Sequence, residues 1–161
     1  VLNRILNREY DVKSNIKWPN DILCDGKKLA GILAEGKATG GNFKGVALGV
    51  GINVNCDLSV FENLPQASSI SVILGKNIDK ENFLKNLVNE FFRDFEEFSK
   101  RGFGLIANEY KNMCKFNKKL KISGSANNGE YKFDALNDDG TLRVIDVKGK
   151  KITIVNGDIL C

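Results

Sequence analysis

Chemistry in this sequence must run on few residue types. There is no histidine, and the four cysteines, Cys24, Cys56, Cys114 and Cys161, stand far apart with no C-x-x-C pair. The missing histidine removes every Ser–His or Cys–His nucleophile scheme. A zinc site would need all four isolated thiols, so the simpler reading is reduced thiols in a cytoplasmic protein. What remains is lysine, carboxylate, amide and backbone, and three segments combine several of them. Lys17-Trp18-Pro19-Asn20-Asp21 sets a cation, an amide and a carboxylate close together. Gly26-Lys27-Lys28-Leu29-Ala30-Gly31-Ile32-Leu33 follows a turn with paired lysines, and Gly49-Val50-Gly51-Ile52-Asn53-Val54-Asn55 alternates small or amide residues with large apolar ones.

The elements that must position these groups can be read from periodicity. Leu2, Ile5, Leu6 and Tyr10 share one face at helical spacing. Ile16-Lys17-Trp18 reads as a short strand stopped by Pro19, with Asn20 and Asp21 as turn formers. Ile22 to Cys24 and Lys28 to Ala34 flank Asp25-Gly26, a two-residue signal for a type I′ hairpin. Gly36 to Asn42 reads as a glycine-rich loop. From Gly45 to Asn55 the odd positions are Gly, Ala, Gly, Gly, Asn and Asn, while the even ones are Val46, Leu48, Val50, Ile52 and Val54. Alternate side chains of a strand point to opposite faces. One face should therefore pack as core, and the other is nearly bare backbone, open to a ligand or to a neighbouring element.

A long amphipathic helix is expected from Asp79, its N-cap, to about Lys100. Its stripe of Phe83, Leu84, Leu87, Val88, Phe91, Phe92, Phe95 and Phe98 reads as core. A shorter helix follows over Leu105 to Cys114. Beyond Lys118 the period becomes two, over Lys119–Ser123, Glu130–Leu136, Thr141–Val147 and Lys151–Val155, which suggests a small barrel or sandwich. A boundary near residue 116 divides residues 1–115 from an all-β tail, 116–161.

The three motifs, in this order and spacing, resemble the catalytic core of biotin protein ligases, and the tail ending in Gly157-Asp158-Ile159 resembles that family's SH3-like C-terminal domain. The resemblance implies an α+β fold: a mixed or antiparallel sheet backed by helices, of the class II synthetase and biotin ligase type, N-terminally truncated, with the SH3-like domain appended. It implies that biotin's carboxylate attacks the α-phosphate of MgATP to give biotinoyl-AMP, and that a lysine of a biotin carboxyl carrier protein then takes the biotin. Lys28 resembles the family lysine that contacts the biotin carboxyl group and the phosphate. Asp21 resembles the aspartate that orients or activates the incoming lysine. Asn20 stands beside it, and turn chemistry is the rival reading for both. Gly31, Gly49 and Gly51 resemble backbone lining the biotin pocket, and Asn53 the asparagine near the adenylate. Lys17 could reach a phosphate or face solvent. Arg143 resembles an arginine that approaches the nucleotide from the C-terminal domain. No resident metal is expected on the protein.

One feature of the family has no counterpart. Upstream of Lys17 there are only Arg4 and Arg8, with no glycine between them. A Gly-Arg-Gly-Arg loop over the ligand is thus missing from this sequence, and poor or absent binding of biotin and poor ligation by this chain are expected. The alternative is a non-catalytic module that docks a carrier or forms a homodimer. The net charge of +4 comes from dispersed residues, which gives no nucleic-acid footprint. No apolar run is long enough to suggest a membrane span. A dinucleotide-binding reading of Gly49-Val50-Gly51 fails because Val54 occupies the third-glycine position.

Overall fold

A computed structural model describes residues 1–124 and 128–160; Cys161, the last thiol of the four-cysteine alternative, lies outside the described residues. Helix α1 (Leu2–Glu9) buries Leu2, Ile5 and Leu6, as its spacing predicts. Strands β1 (Ser14–Lys17), β2 (Asp21–Cys24), β3 (Lys27–Thr39) and β4 (Asn42–Ile52) then form an antiparallel sheet in chain order. The β2–β3 turn has φ of 48° at Asp25 and 77° at Gly26, the doubly positive pair that a type I′ turn requires. Gly36 to Asn42 is not a loop. Strand β3 continues to Thr39 and reverses at Gly40-Gly41, because two glycines at positive φ close a hairpin without interrupting the strands.

Helices α2 (Ile70–Leu74), α3 (Lys80–Arg101) and α4 (Gly104–Met113) follow. The Asp79 carboxylate accepts the backbone N–H groups of Glu81 and Asn82 and so caps α3. A second antiparallel sheet runs β8-β7-β6-β5-β9, with β5 Lys119–Ser123, β6 Gly129–Leu136, β7 Leu142–Ile145, β8 Lys151–Ile154 and β9 Asp158–Leu160. The fold is therefore α+β with two antiparallel sheets. Among the described residues no helix is long and apolar enough to cross a membrane.

Residues from both sheets contribute to one apolar cluster, and Trp18 is its hinge pin. Its side chain is 2% exposed, and its indole N–H donates to the Gly140 carbonyl at 2.9 Å, from the first sheet to the β6–β7 turn. Gly140 sits at φ 84°, and a Cβ there would lie 3.4 Å from the Phe103 ring. Tyr110 donates to the Pro19 carbonyl at 2.9 Å, and the Lys115 N–H donates to the Ile16 carbonyl. The Lys17-Trp18-Pro19 segment is thus gripped by α4 and by the second sheet.

Two expected core faces are exposed instead. Val46, Leu48 and Val50 on β4 are 57%, 45% and 43% accessible, because α1 and α4 pack against β1, at the opposite edge of the sheet. On α3, Phe83 is buried and meets Tyr10 edge-on. Leu84, Val88, Phe92, Phe95 and Phe98 lie open, and Phe91 and Phe95 stack on each other rather than on another element. Periodicity shows that a face is apolar; it does not show that anything in the same chain covers it.

Candidate functional site

The site is assembled on one face of the first sheet, and a β-bulge makes it possible. Asp21 pairs with Gly31 and Ile22 with Ala30, but Leu23 pairs with Lys28, so Leu29 is the extra residue on β3. Without it, Lys28 and Gly31 would point to opposite faces, being three residues apart. The bulge flips Lys28 onto the face of Asp21 and Gly31, a use to which bulges near functional sites are often put. Lys17 opposes Asp21 on β1, and Gly51 opposes Gly31 on β4, so all five share that face.

Once there, Lys28 Nζ lies 2.6 Å from Asp21 Oδ1. Lys17 Nζ lies 3.7 Å from the other oxygen, Oδ2, and 2.9 Å from Asp158 Oδ1 on β9. The Asp21 and Lys17 side chains are largely buried, whereas Lys28 is 45% exposed, so Lys28 is the more open of the two lysines. Gly31 is the floor beneath this pair. A Cβ there would stand 3.1 Å from Lys28 Cε and Nζ and 3.3 Å from Asp21 Oδ1. By contrast, Cβ atoms at Gly49 and Gly51 would meet only backbone oxygens, at 3.8 and 3.9 Å. Among the described residues, no side chain therefore stands within 4 Å above these two glycines of β4.

The result is an open depression of about 440 Å³ lined by Asn20, Asp21, Lys28, Gly31, Ile32, Leu33, Gly49, Val50 and Gly51. One end is a half-exposed ammonium group beside a carboxylate. The rest is glycine backbone and apolar side chain. Such a trough suits a flat molecule with an apolar body and an anionic end. Asn20 frames it by donating to the Ile32 carbonyl at 2.6 Å, while the Ile32 N–H donates back to the Asn20 carbonyl.

Two further residues singled out in the sequence do not line this depression. Asn53 donates its amide to the Ser68 carbonyl at 2.9 Å and to the Lys28 carbonyl at 3.4 Å, bracing the backbone behind Lys28. Arg143 is bonded to Asp134 and to Asn137 within the second sheet, and its guanidinium holds the Asp134 carboxyl below the usual range. Arg4 bonds to Asp94 and Glu109, and Arg8 to Glu90, which ties α1 to α3 and α4 away from the depression.

Sequence reasoning missed two contributors. The segment Gln66–Ser68 runs beside Lys28, whose N–H donates to the Gln66 carbonyl at 2.7 Å and whose carbonyl accepts from Ser68 N–H. Asp158 is the other. Neither carries a local signal, since both contacts join residues far apart in the chain. Among the described residues no three metal-binding side chains gather, and both Asp21 oxygens face lysines.

Residues 2–53 match the model of the Biotin/lipoate A/B protein ligase family. The bifunctional ligase/repressor BirA of Bacillus subtilis is 36% identical over 94 residues, which is 57% of this chain and 29% of that protein. The biotin–[acetyl-CoA-carboxylase] ligase of Paracoccus denitrificans is 36% identical over 98 residues, 59% of this chain and 41% of that protein. The matches thus span well under half the length of these relatives. The biotin protein ligase of Aquifex aeolicus superposes with a TM-score of 0.83 at 21% identity, over 99% of this chain and 70% of that one. The same enzyme in complex with biotin and ATP gives 0.82.

Proposed function

We propose that this chain, a relative of the biotin protein ligases in sequence and in fold, carries the acyl-adenylate site of such an enzyme. Biotin is activated with ATP to biotinoyl-5′-AMP and then passed to a lysine of a biotin carrier protein, in the cytoplasm. The observation that carries this reading is the bulge that lifts Lys28 over Gly31 beside Asp21, at one end of an uncovered glycine floor.

Each group has a task that its surroundings suit. The floor of Gly31, Gly49 and Gly51 lets a flat ring system lie against backbone. The Lys28 ammonium is fixed where two anions, a carboxylate and an α-phosphate, must be brought together. A cation already in place costs no reorganisation as charge develops. When the acceptor lysine arrives as a cation, Asp21 is the carboxylate beside the activated carbon able to hold it and to take its proton. Asn20 frames the outer edge. Lys17 supports Asp21, and Asn53 fixes the strand behind Lys28. Arg143 serves the C-terminal domain, whose boundary near residue 116 belongs to this reading. Magnesium enters with the nucleotide, since Mg2+ keeps several waters and takes few carboxylates, and Asp21 is engaged by lysines.

The test is calorimetric titration of the purified chain with a non-hydrolysable biotinoyl-AMP analogue, repeated on Lys28→Ala. The expected result is saturable binding that weakens by roughly tenfold or more in the variant, the loss of one charge-assisted contact. Binding of equal strength in the two proteins, or none in the folded wild type, would remove the reading.

A further inference from the structure

We infer that the outer face of the second sheet is a docking surface for an acidic protein, the acceptor whose lysine enters the site. The acceptor's part in this rests on the acyl-adenylate reading; the surface itself rests on geometry. Strand alternation builds the face. On β5 the buried Leu120 and Ile122 turn inward, which sends Lys119 and Lys121 outward into solvent. On β6, Lys132 stands opposite Lys119 and Glu130 opposite Lys121. Ile145 of β7 pairs with Lys132, and Leu160 of β9 flanks Lys121 on its other side. These residues line a depression of about 450 Å³, together with Asp146 and with Val147, which is 91% exposed.

The charges of this face are not balanced from within. Like charges directly opposite each other destabilise a sheet, and Lys119 and Lys132 are such a pair. Among the described residues no carboxylate lies within 4.0 Å of the amines of Lys119, Lys121 or Lys132, whereas Lys111 and Lys151 are paired with Asp138 and Asp134. A partner bearing carboxylates would relieve the repulsion. A protein fits better than a nucleic acid. Glu130 and Asp146 among the lysines would repel a phosphate backbone, while Ile145, Val147 and Leu160 offer apolar contact to a protein surface. Strand β9 joins the face to the site. Asp158 and Leu160 flank the buried Ile159, so they share the outer face, about 7 Å apart along the strand. Asp158 Oδ1 lies 2.9 Å from Lys17 Nζ, which is 3.7 Å from Asp21 Oδ2. A protein seated on Lys121 and Leu160 therefore rests beside the carboxylate that its lysine must meet.

The test is fluorescence anisotropy of the full chain with a labelled probe, a net-negative apo biotin carrier domain of an acetyl-CoA carboxylase, at low and raised salt. Saturable binding that weakens with salt is expected. Lys119→Gln/Lys121→Gln should weaken it about tenfold and flatten the salt dependence, the scale of losing two interfacial charges. Lys119→Glu should also weaken it, yet it sets a carboxylate opposite Lys132, so stability to urea should hold or rise. Lys85→Glu, exposed on α3, should leave binding unchanged. No binding by the wild type, equal binding by the double variant, or equal weakening in Lys85→Glu overturns the inference. So does a labelled DNA duplex that binds more tightly than the carrier domain and is released by the same variants. The adenylate analogue is titrated into the same proteins and should bind all of them alike. Its failure to bind the wild type would remove the functional reading, while the surface stands or falls on the carrier titration.

Discussion

Gly31→Ala isolates the floor of the site from the rest of the fold. The added methyl would stand 3.1 Å from Lys28 Cε and Nζ and 3.3 Å from Asp21 Oδ1, so each must retreat by a few tenths of an ångström. Both crowded groups are side-chain ends, and that of Lys28 is flexible and half-exposed, so the retreat costs little. Replacing a glycine also narrows the unfolded ensemble by about 0.4–1 kcal/mol. These terms oppose, and the net change in stability is expected within about 1 kcal/mol of zero. Affinity for the adenylate analogue should behave differently. The 2.6 Å ion pair is the contact that fixes the ammonium group, and a fixed charge loses value quickly when displaced. Complete loss of the ammonium group is expected to cost roughly tenfold or more in affinity, so a partial displacement should cost about threefold. Urea unfolding and calorimetric titration on the same samples give both numbers. Gly49→Ala is the control for stability, since its methyl would meet only the Leu33 carbonyl at 3.8 Å. An undiminished affinity in Gly31→Ala, or a loss of several kcal/mol of stability, refutes the reasoning.

Trp18→Phe keeps a ring in the core but removes the N–H that serves the Gly140 carbonyl, and urea melts should show a loss of about 1–3 kcal/mol. Burial raises the Cys114 thiol to about 12 and pushes the neighbouring Tyr110 phenol up as well. The folded chain therefore keeps protons that the unfolded chain releases above about pH 9, and stability should fall as pH rises through that range. Melting temperatures measured from neutral to strongly alkaline pH should show the decline, and Cys114→Ala should reduce it. Iodoacetamide at mildly alkaline pH should correspondingly spare Cys114 in the native chain and modify it in urea. Phe92→Ser on α3 removes a ring that is 63% exposed, so unfolding free energy should change by no more than about 0.5 kcal/mol while binding of a hydrophobic dye falls.

What could be read in the sequence was local. Asp25-Gly26 names its turn because only certain residues accept two positive φ values, and Asp79 names its helix start because its carboxylate completes the first turn. The motif residues Lys17, Asn20, Asp21, Lys28, Gly31, Gly49 and Gly51 do converge on one face, yet simple alternation would have put Lys28 on the other side. The bulge at Leu29 is a decision of strand pairing, taken between β2 and β3, and no residue of β3 announces it. Asn53 shows a different limit: that its amide donates to the carbonyls of Lys28 and Ser68 could not be read from strand parity. The exposed faces of β4 and α3 show a third, since an apolar pattern records burial somewhere without naming the partner.

The bond from Trp18 to Gly140 spans 122 residues. During synthesis at roughly 5–20 residues per second, its two ends are made roughly 6–24 s apart. For most of that interval the β1–β2 segment has been made with its indole unserved, before α4 and the second sheet exist to grip it. The segment that opens β2, on which Asp21 stands, is therefore clasped late: first by the Tyr110 phenol and last by the Gly140 carbonyl.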